Sequence, residues 1–232
     1  MEKKDRDNFD DFARDYRQQH AENIRITGAD SYHFARAKVL QVRRLESGTP
    51  LSILDLGCGD GVVDLYLREA FPSSAITGID VSDKSIQVAR GLGLERVDFR
   101  VYNGNDIPFG PQSFDLVFLG GVLHHVEGSQ QLRILQEIYR VLKSQGRLYV
   151  FEHNPYNPAT RYLVKTCVFD RHARLLRASR VRRMLSDCGF GVRITRYTSF
   201  IPLQPFFNFL RKLEDHLGWL PMGAQYFIQA VK

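Results

Sequence analysis

Between Ile53 and Gly61 the chain reads Ile-Leu-Asp-Leu-Gly-Cys-Gly-Asp-Gly: a short apolar run, an acid, then glycines at alternate positions. Glycine lacks the Cβ that blocks close approach and accepts positive φ, so this spacing predicts a tight strand-to-helix turn with backbone held against a small molecule. Few folds use such a turn. It needs a buried strand before it and a helix after it, and it gathers Asp55, Gly57, Cys58 and Gly59 around one end of a ligand. Cys58 stands there as a small side chain, not as a nucleophile.

Asp80 ends the next apolar run, Ala75 to Ile79, at the distance where one crossover helix separates two adjacent parallel strands. An acid there can accept from both hydroxyls of a ribose. Ser82 or Asp83 can cap the helix that follows, which frees Asp80 for a ligand. After a third strand, Val97 to Val101, comes Asn103-Gly104-Asn105-Asp106-Ile107-Pro108-Phe109. A carboxylate beside Ile107 can accept from an exocyclic amine while the apolar side chain packs on a purine; a plain polar turn at Pro108 is the alternative. A fourth strand, Phe114 to Leu119, runs into Gly120-Gly121 and then Val122-Leu123-His124-His125-Val126.

With these segments in hand, the chain resembles a class I S-adenosylmethionine-dependent methyltransferase of the small-molecule type. The likeness spans about Ser52 to Phe151 and includes the helix-turn-strand from Ile134 with Glu137-Ile138-Tyr139-Arg140-Val141-Leu142-Lys143 and Gly146. It implies that Asp55, Gly57, Cys58 and Gly59 line the amino-acid end of S-adenosylmethionine. Asp80 and Val81 would hold the ribose, Asn105, Asp106 and Ile107 the adenine, and Gly120 and Gly121 would pass beneath the sulfonium. The residues support this independently, because the glycines follow G-x-G-x-G and an acid precedes them, whereas a pyrophosphate would favour G-x-G-x-x-G and be repelled by Asp55. A nicotinamide-dependent oxidoreductase is therefore the weaker of two enzymatic readings, and a non-catalytic interaction protein with the same fold is a third.

Strand and helix signals alternate along the whole chain, which predicts an α/β fold with a mostly parallel sheet and helices on both faces. Strands are expected near Ile53, Ile76, Phe99, Val117, Leu148, Ile194 and Phe227. Helices are expected over Val62–Phe71, Asp83–Leu92, Ser129–Lys143 and Ser179–Cys188. The resemblance implies a seven-stranded Rossmann-like sheet whose last strand, within 223–231, inserts antiparallel. The length of 232 residues fits one domain. Residues 1–45 read as an N-terminal helical lid with a break near Gly28, 46–152 as the cofactor-binding core, and 153–178 and 199–222 as substrate-side insertions, the latter a helical flap.

Substrate choice must lie outside the shared core. Tyr16 in the N-terminal stretch, Glu152 and Tyr156 in the loop after the fifth strand, and Phe200 in the aromatic flap are the candidate acceptor-binding residues, each with a packing or capping role as the alternative. His124, His125 and His153 are the candidate bases, since imidazole suits removal of a hydroxyl proton. The expected acceptor is a small molecule methylated on oxygen, a hydroxyl of a sugar, a lipid-linked compound or a natural product; in its tail the chain is similar to bacterial methyltransferases of such pathways. A formal charge of +6 is concentrated between Arg161 and Arg183. That run suits peripheral contact with an anionic or lipid-linked substrate; nucleic acid is disfavoured because the aromatics are not interleaved with the arginines. The seven histidines and three cysteines show no metal-ligand spacing, so no metal is expected. Apolar runs fall short of the roughly 20 residues of a membrane span, and a charged start without a following apolar segment suggests a cytoplasmic protein. Oligomeric state is open.

Overall fold

The computed structural model describes residues 31–167, 170, 173–201, 209 and 211–232. Helix α1 (Ser31–Leu45) precedes strand β1 (Ser52–Leu56), and then helices and strands alternate: α2 (Val62–Ala70), β2 (Ala75–Asp80), α3 (Asp83–Arg90), β3 (Val97–Val101) and β4 (Phe114–Gly120). A single 3-10 turn (Leu123–His125) leads to α4 (Gly128–Val141), β5 (Leu142–His153), α5 (Pro158–Thr166), α6 (Ala178–Asp187), β6 (Gly191–Thr198), α7 (Arg211–Leu217) and β7 (Gln225–Val231). The strands form one sheet in the order β3-β2-β1-β4-β5-β7-β6. β1 to β5 are parallel, and β7 runs antiparallel between β5 and β6.

The sheet separates two apolar layers, and side-chain alternation along each strand assigns residues to one or the other. Ile53, Leu116, Phe118, Tyr149 and Phe227 pack with Val39 and Val42 of α1 and Leu67 of α2. Leu54, Val117, Leu119, Leu148 and Ile228 pack with Ile134, Leu135 and Ile138 of α4 and with Val181 and Leu185 of α6. Central strands covered on both faces read as unbroken apolar runs, which is why β1 and β4 were legible.

Helix starts follow capping chemistry. Ser82 accepts from the Ser85 N–H at 3.1 Å to open α3, and Asn157 accepts from the Thr160 N–H at 2.9 Å to open α5 with Pro158 in its first turn. Asn154 does a different job. Its Nδ2 donates to the carbonyls of Gly223 at 2.7 Å and Pro221 at 3.1 Å, stapling the end of β5 to the approach into β7.

The expected strands are all present, and the four expected helices fall within one or two residues of their limits. Of the proposed lid, only α1 lies among the described residues; Tyr16 lies outside them. Of the flap, α7 is described, while 202–208 and 210 lie outside. Cys58 and Cys167 are buried and Cys188 is half-buried. No helix among the described residues is long and apolar enough to cross a membrane.

Candidate active site

Parallel strands β1, β2, β4 and β5 all end at one edge of the sheet, so the residues that follow them meet there. Gly57 follows β1 with φ +78°, and a Cβ on it would overlap Cγ2 of Val122 just beyond β4. Gly59, at φ +55°, has no atom within 4 Å of where its Cβ would stand, so open space lies above its backbone. The Gly57 and Cys58 N–H groups donate to the Ile79 carbonyl at 2.8 and 3.1 Å. Asp80 completes the turn, its carboxylate accepting from the Gly59 N–H and the Ser82 N–H, both at 2.9 Å. Asp80 thus shapes the turn with both oxygens, although Ser82 caps the next helix as expected.

Asp55 and Asp64 are buried side by side beneath the turn, at 1% and 0% exposure. Asp55 Oδ2 and both Asp64 carboxylate oxygens have no hydrogen-bond partner that can donate unless one acid carries a proton. Burial, helped by the Asp80 charge and opposed by Asp64 and Lys38, pushes Asp55 up to about 7. Burial and the Asp55 charge hold Asp64 well above the carboxylate range, so Asp64 keeps its proton and donates to Asp55.

The segment after β3 is braced from α4. Asn103 Oδ1 accepts from the N–H groups of Asn105 at 2.8 Å and Asp106 at 2.9 Å. The Ile107 N–H donates to Glu137 at 2.9 Å, and Arg140 donates to the carbonyls of Ile107 at 2.9 Å and Phe109 at 2.7 Å. Glu137 and Arg140 in the Glu-Ile-Tyr-Arg-Val-Leu-Lys motif therefore hold this loop. Ile107 is buried in the main core, while the Asp106 carboxylate is exposed and paired with Arg133 at 2.7 Å. Val81, half-buried, packs on the same core as Ile107.

Past β4, Gly120 and Gly121 lead to the histidines. Cε1 of His124 lies 3.6 Å from where a Gly121 Cβ would be. His124 is buried, and its Nδ1 meets Glu152 Oε2 at 2.5 Å; the other Glu152 oxygen accepts from the Leu123 N–H at 2.8 Å. On its far side, His124 Nε2 stands 3.6 Å from Asp170 Oδ1, and His125 Nε2 stands 3.4 Å from the same oxygen. The His153 ring lies 5.2 Å from that of His124. Burial opposes charging His124, but Glu152 and Asp170 outweigh it and hold its pKa up at about 9. Burial and the neighbouring His124 charge press His125 down to about 3 and His153 to about 4. The cluster thus keeps one imidazolium, on His124.

Of the acceptor-side candidates, Glu152 is buried behind His124 with both oxygens engaged. Tyr156 is exposed with the Arg177 guanidinium 5.6 Å over its ring. Phe200 is half-buried, its N–H donating to Glu214 at 2.8 Å.

Three residues here escaped the sequence. Asp170 comes from the segment between α5 and α6, pinned by the Arg174 N–H to the His124 carbonyl at 2.8 Å. Lys38 of α1 lies near both Asp55 and Glu152, and burial lowers its pKa against those two attractions. Asp64 is a buried acid on the inward face of α2; an acid at a core position of an otherwise amphipathic helix was the available signal.

Residues 54–150 match the methyltransferase domain family. This stretch is a methyltransferase domain. Over 149 residues, 62% of its length, the chain is 33% identical to a demethylmenaquinone methyltransferase from Lactococcus lactis, of which the match spans 56%, so it covers little more than half of that relative. A ubiquinone/menaquinone biosynthesis C-methyltransferase from Desulfotalea psychrophila is 30% identical over 44% of this chain and 42% of its own. In fold, the chain is similar to a solved structure from Thermotoga maritima described as a possible histamine N-methyltransferase, with TM-score 0.68, 21% identity, and coverage of 97% and 98%. The fold is that of the class I methyltransferases, and the family implies S-adenosylmethionine as cofactor. The cleft fits such a molecule on two observations: the open space over the Gly59 backbone, and the Asp55 carboxylate beneath the turn, whose Oδ2 meets no N–H and is an acceptor suited to an ammonium group.

Proposed function

We propose that the protein transfers a methyl group from S-adenosylmethionine to a hydroxyl oxygen of a small-molecule acceptor, a sugar, a lipid-linked compound or a natural product. The observation that carries this reading is the cluster of buried His124 and Glu152 with half-buried Asp170, set against Gly121, where the glycine cleft meets the acceptor side. The cofactor supplies a methyl carbon already activated by its positive sulfonium. What the chain adds is alignment, exclusion of water and management of one proton.

On this reading Asp55 takes the cofactor's ammonium and Lys38 its carboxylate. Gly57, Cys58 and Gly59 lie along the amino-acid end, Asp80 and Val81 hold the ribose, and Gly120 and Gly121 pass under the sulfur. Asn105, Asp106 and Ile107 serve the adenine, with Asp106 exchanging part of its contact with Arg133 for the exocyclic amine. His124, charged at neutral pH, stabilises negative charge as it develops on the acceptor oxygen. His125 or His153, both neutral, receives the hydroxyl proton; bases of such low proton affinity act only as the oxygen bonds to carbon, so proton removal accompanies methyl transfer. Glu152 positions His124 and does not touch the acceptor.

Tyr156 and Phe200 flank the acceptor side. A groove of about 300 Å³ lined by Arg161, Val164, Lys165, Asp170, Ala173 and Leu175 adjoins the cluster, and its two cations suit an acceptor bearing a negative group. The names of the relatives favour a second reading, transfer to carbon. An acceptor whose hydroxyl is ionised beside a reactive ring carbon uses the same cluster for the same deprotonation.

Incubation with cell extract and methyl-labelled cofactor, followed by mass spectrometry and NMR of the labelled product, separates the readings. An O-methyl signal is expected; a C-methyl signal would move the proposal to carbon. Binding of S-adenosylhomocysteine with no molecule labelled would favour a non-catalytic protein, and tight binding of a nicotinamide dinucleotide alone would favour an oxidoreductase. Single replacement of His124, His125 and His153 by Gln should lower turnover by about 100-fold or more for whichever residue handles the proton. Full turnover in all three variants, with cofactor bound, rejects the base assignment.

A further inference from the structure

We infer that His124, His125 and Asp170 form a binding site for a divalent first-row transition metal ion, of the Zn2+ class, at the acceptor end of the cleft. One ligand atom from each of the three residues lies within 4.8 Å of the other two. Two of the separations are known in detail: Nε2 of His124 at 3.6 Å and Nε2 of His125 at 3.4 Å from the same Asp170 oxygen. The longer is outside hydrogen-bond range. Tetrahedral ligands about 2.0–2.1 Å from a zinc ion stand about 3.4 Å from one another, so both spacings suit an ion between the three groups.

The surroundings are those of a metal ligand set. A metal-bound histidine characteristically donates its second ring nitrogen to a carboxylate, which fixes the tautomer and aims the free nitrogen at the ion. Glu152 does this for His124 through Nδ1 at 2.5 Å, and is itself fixed by the Leu123 N–H at 2.8 Å. Asp170 is delivered from a segment tied to the His124 carbonyl through the Arg174 N–H, and the groove it lines gives an access path. Two imidazoles and one carboxylate favour a transition metal over magnesium or calcium, which prefer all-oxygen sites. Three protein ligands leave an open position.

For its role, this inference rests on the methyl-transfer reading but replaces the parts of His124 and His125 in it: binding displaces the His124 Nε2 proton, and the ion takes over the stabilisation of negative charge. The acceptor hydroxyl would fill the open position, and the ion would lower its pKa, so that the hydroxyl proton leaves to solvent or to His153 while the oxygen's electron pair forms the new bond to carbon. For its detection, the inference does not depend on that reading. The chelator-stripped full-length protein is titrated with Co2+, and the visible absorption of the bound ion is followed, with Zn2+ as competitor.

One equivalent bound with a tetrahedral-type spectrum and displaced by Zn2+ is expected, together with a rise in Tm on adding Zn2+. Asp170→Asn and His125→Gln should weaken binding by at least 10-fold, and Glu152→Gln by about 10–100-fold; His216→Ala, an exposed histidine on α7, should leave it unchanged. Asp170 and His125 are only partly buried, so these variants keep the test usable if replacement of the fully buried His124 prevents folding. No uptake of Co2+, or unchanged affinity in Asp170→Asn, overturns the site and marks any residual binding as adventitious. Metal binding without methyl transfer to any acceptor would leave the site standing and remove the proposed activity instead.

Discussion

Replacing Asp64 by Asn alters the charge beneath the glycine turn while keeping the side chain's size. In the native protein Asp55 holds its proton up to about pH 7, well above the usual carboxylate range, because it is buried and near Asp80; Asp64 as donor and Lys38 as cation pull the other way. Burial and the Asp55 charge also hold Asp64 well above the usual carboxylate range. In the unfolded chain both acids ionise near pH 4. Between about pH 4 and 7 the folded state therefore binds more protons than the unfolded one, and stability falls as pH rises. A rise of about three units for Asp55 alone corresponds to about 4 kcal/mol lost by pH 8. Asparagine at position 64 removes the acid that must hold a proton in the fold, while its amide keeps a donor to Asp55. Urea denaturation at pH 5, 6, 7 and 8 should show wild-type stability falling across the series. The variant should have a flatter profile, with about 2–4 kcal/mol gained at pH 8 and an unchanged m value. Calorimetry with S-adenosylhomocysteine supplies the functional readout. If Asp55 must be ionised to take the ligand's ammonium, affinity rises through about pH 7 in both proteins. Parallel stability profiles for the two proteins, or a variant less stable at pH 8, would refute the account in which Asp64 keeps its proton.

Gly57→Ala should cost about 1 kcal/mol for the left-handed backbone and a further 1–3 for overlap with Val122; Val122→Ala in the same background should return the second part only, as read by denaturation midpoints. Tyr149→Phe removes the hydroxyl that donates to buried Glu46 at 2.7 Å and should lower stability by about 1–3 kcal/mol, even though Arg147 still pairs with that carboxylate. Asn157→Ala removes the cap of α5 and its bond to the Met222 carbonyl, at about 1 kcal/mol in thermal melts; an unchanged Tm would show that α5 is held by packing alone.

The fold was legible because its signals are local. β1 and β4 lie under helices on both sides and so appear as apolar runs, and Ser82 and Pro158 announce helix starts wherever they occur. That Asp55, Gly57, Gly59, Asp80, Gly120 and Gly121 meet was legible for the same reason, since they sit at strand ends that the βα alternation brings to one edge. Asp170 was not, because nothing in the Arg-rich stretch around it says that the segment folds back onto His124. Nor was Lys38, whose side chain is one among several basic groups on α1 until the helix is docked beside Asp55 and Glu152. Asp106 shows the limit in the other direction. Its position in the loop was readable, but its pairing with Arg133 depends on how α4 lies across that loop.

Charge balance joins the two halves of the proposed pocket. Asp55, Asp64 and Asp80 gather at the cofactor end and Glu152 and Asp170 at the acceptor end, while Lys38 lies near Asp55 and Glu152 and His124 carries a proton between Glu152 and Asp170. Buried carboxylates of this density are tolerated only when protonated or matched by cations. A cofactor bringing both an ammonium and a sulfonium supplies such cations, and on methyl transfer the sulfonium charge disappears while the ammonium remains. On the proposed reading, the acid-rich cleft therefore holds the reactant form more strongly than the product form. The same electrostatic excess that keeps Asp64 protonated before binding then favours exchange of spent for fresh cofactor after each turnover.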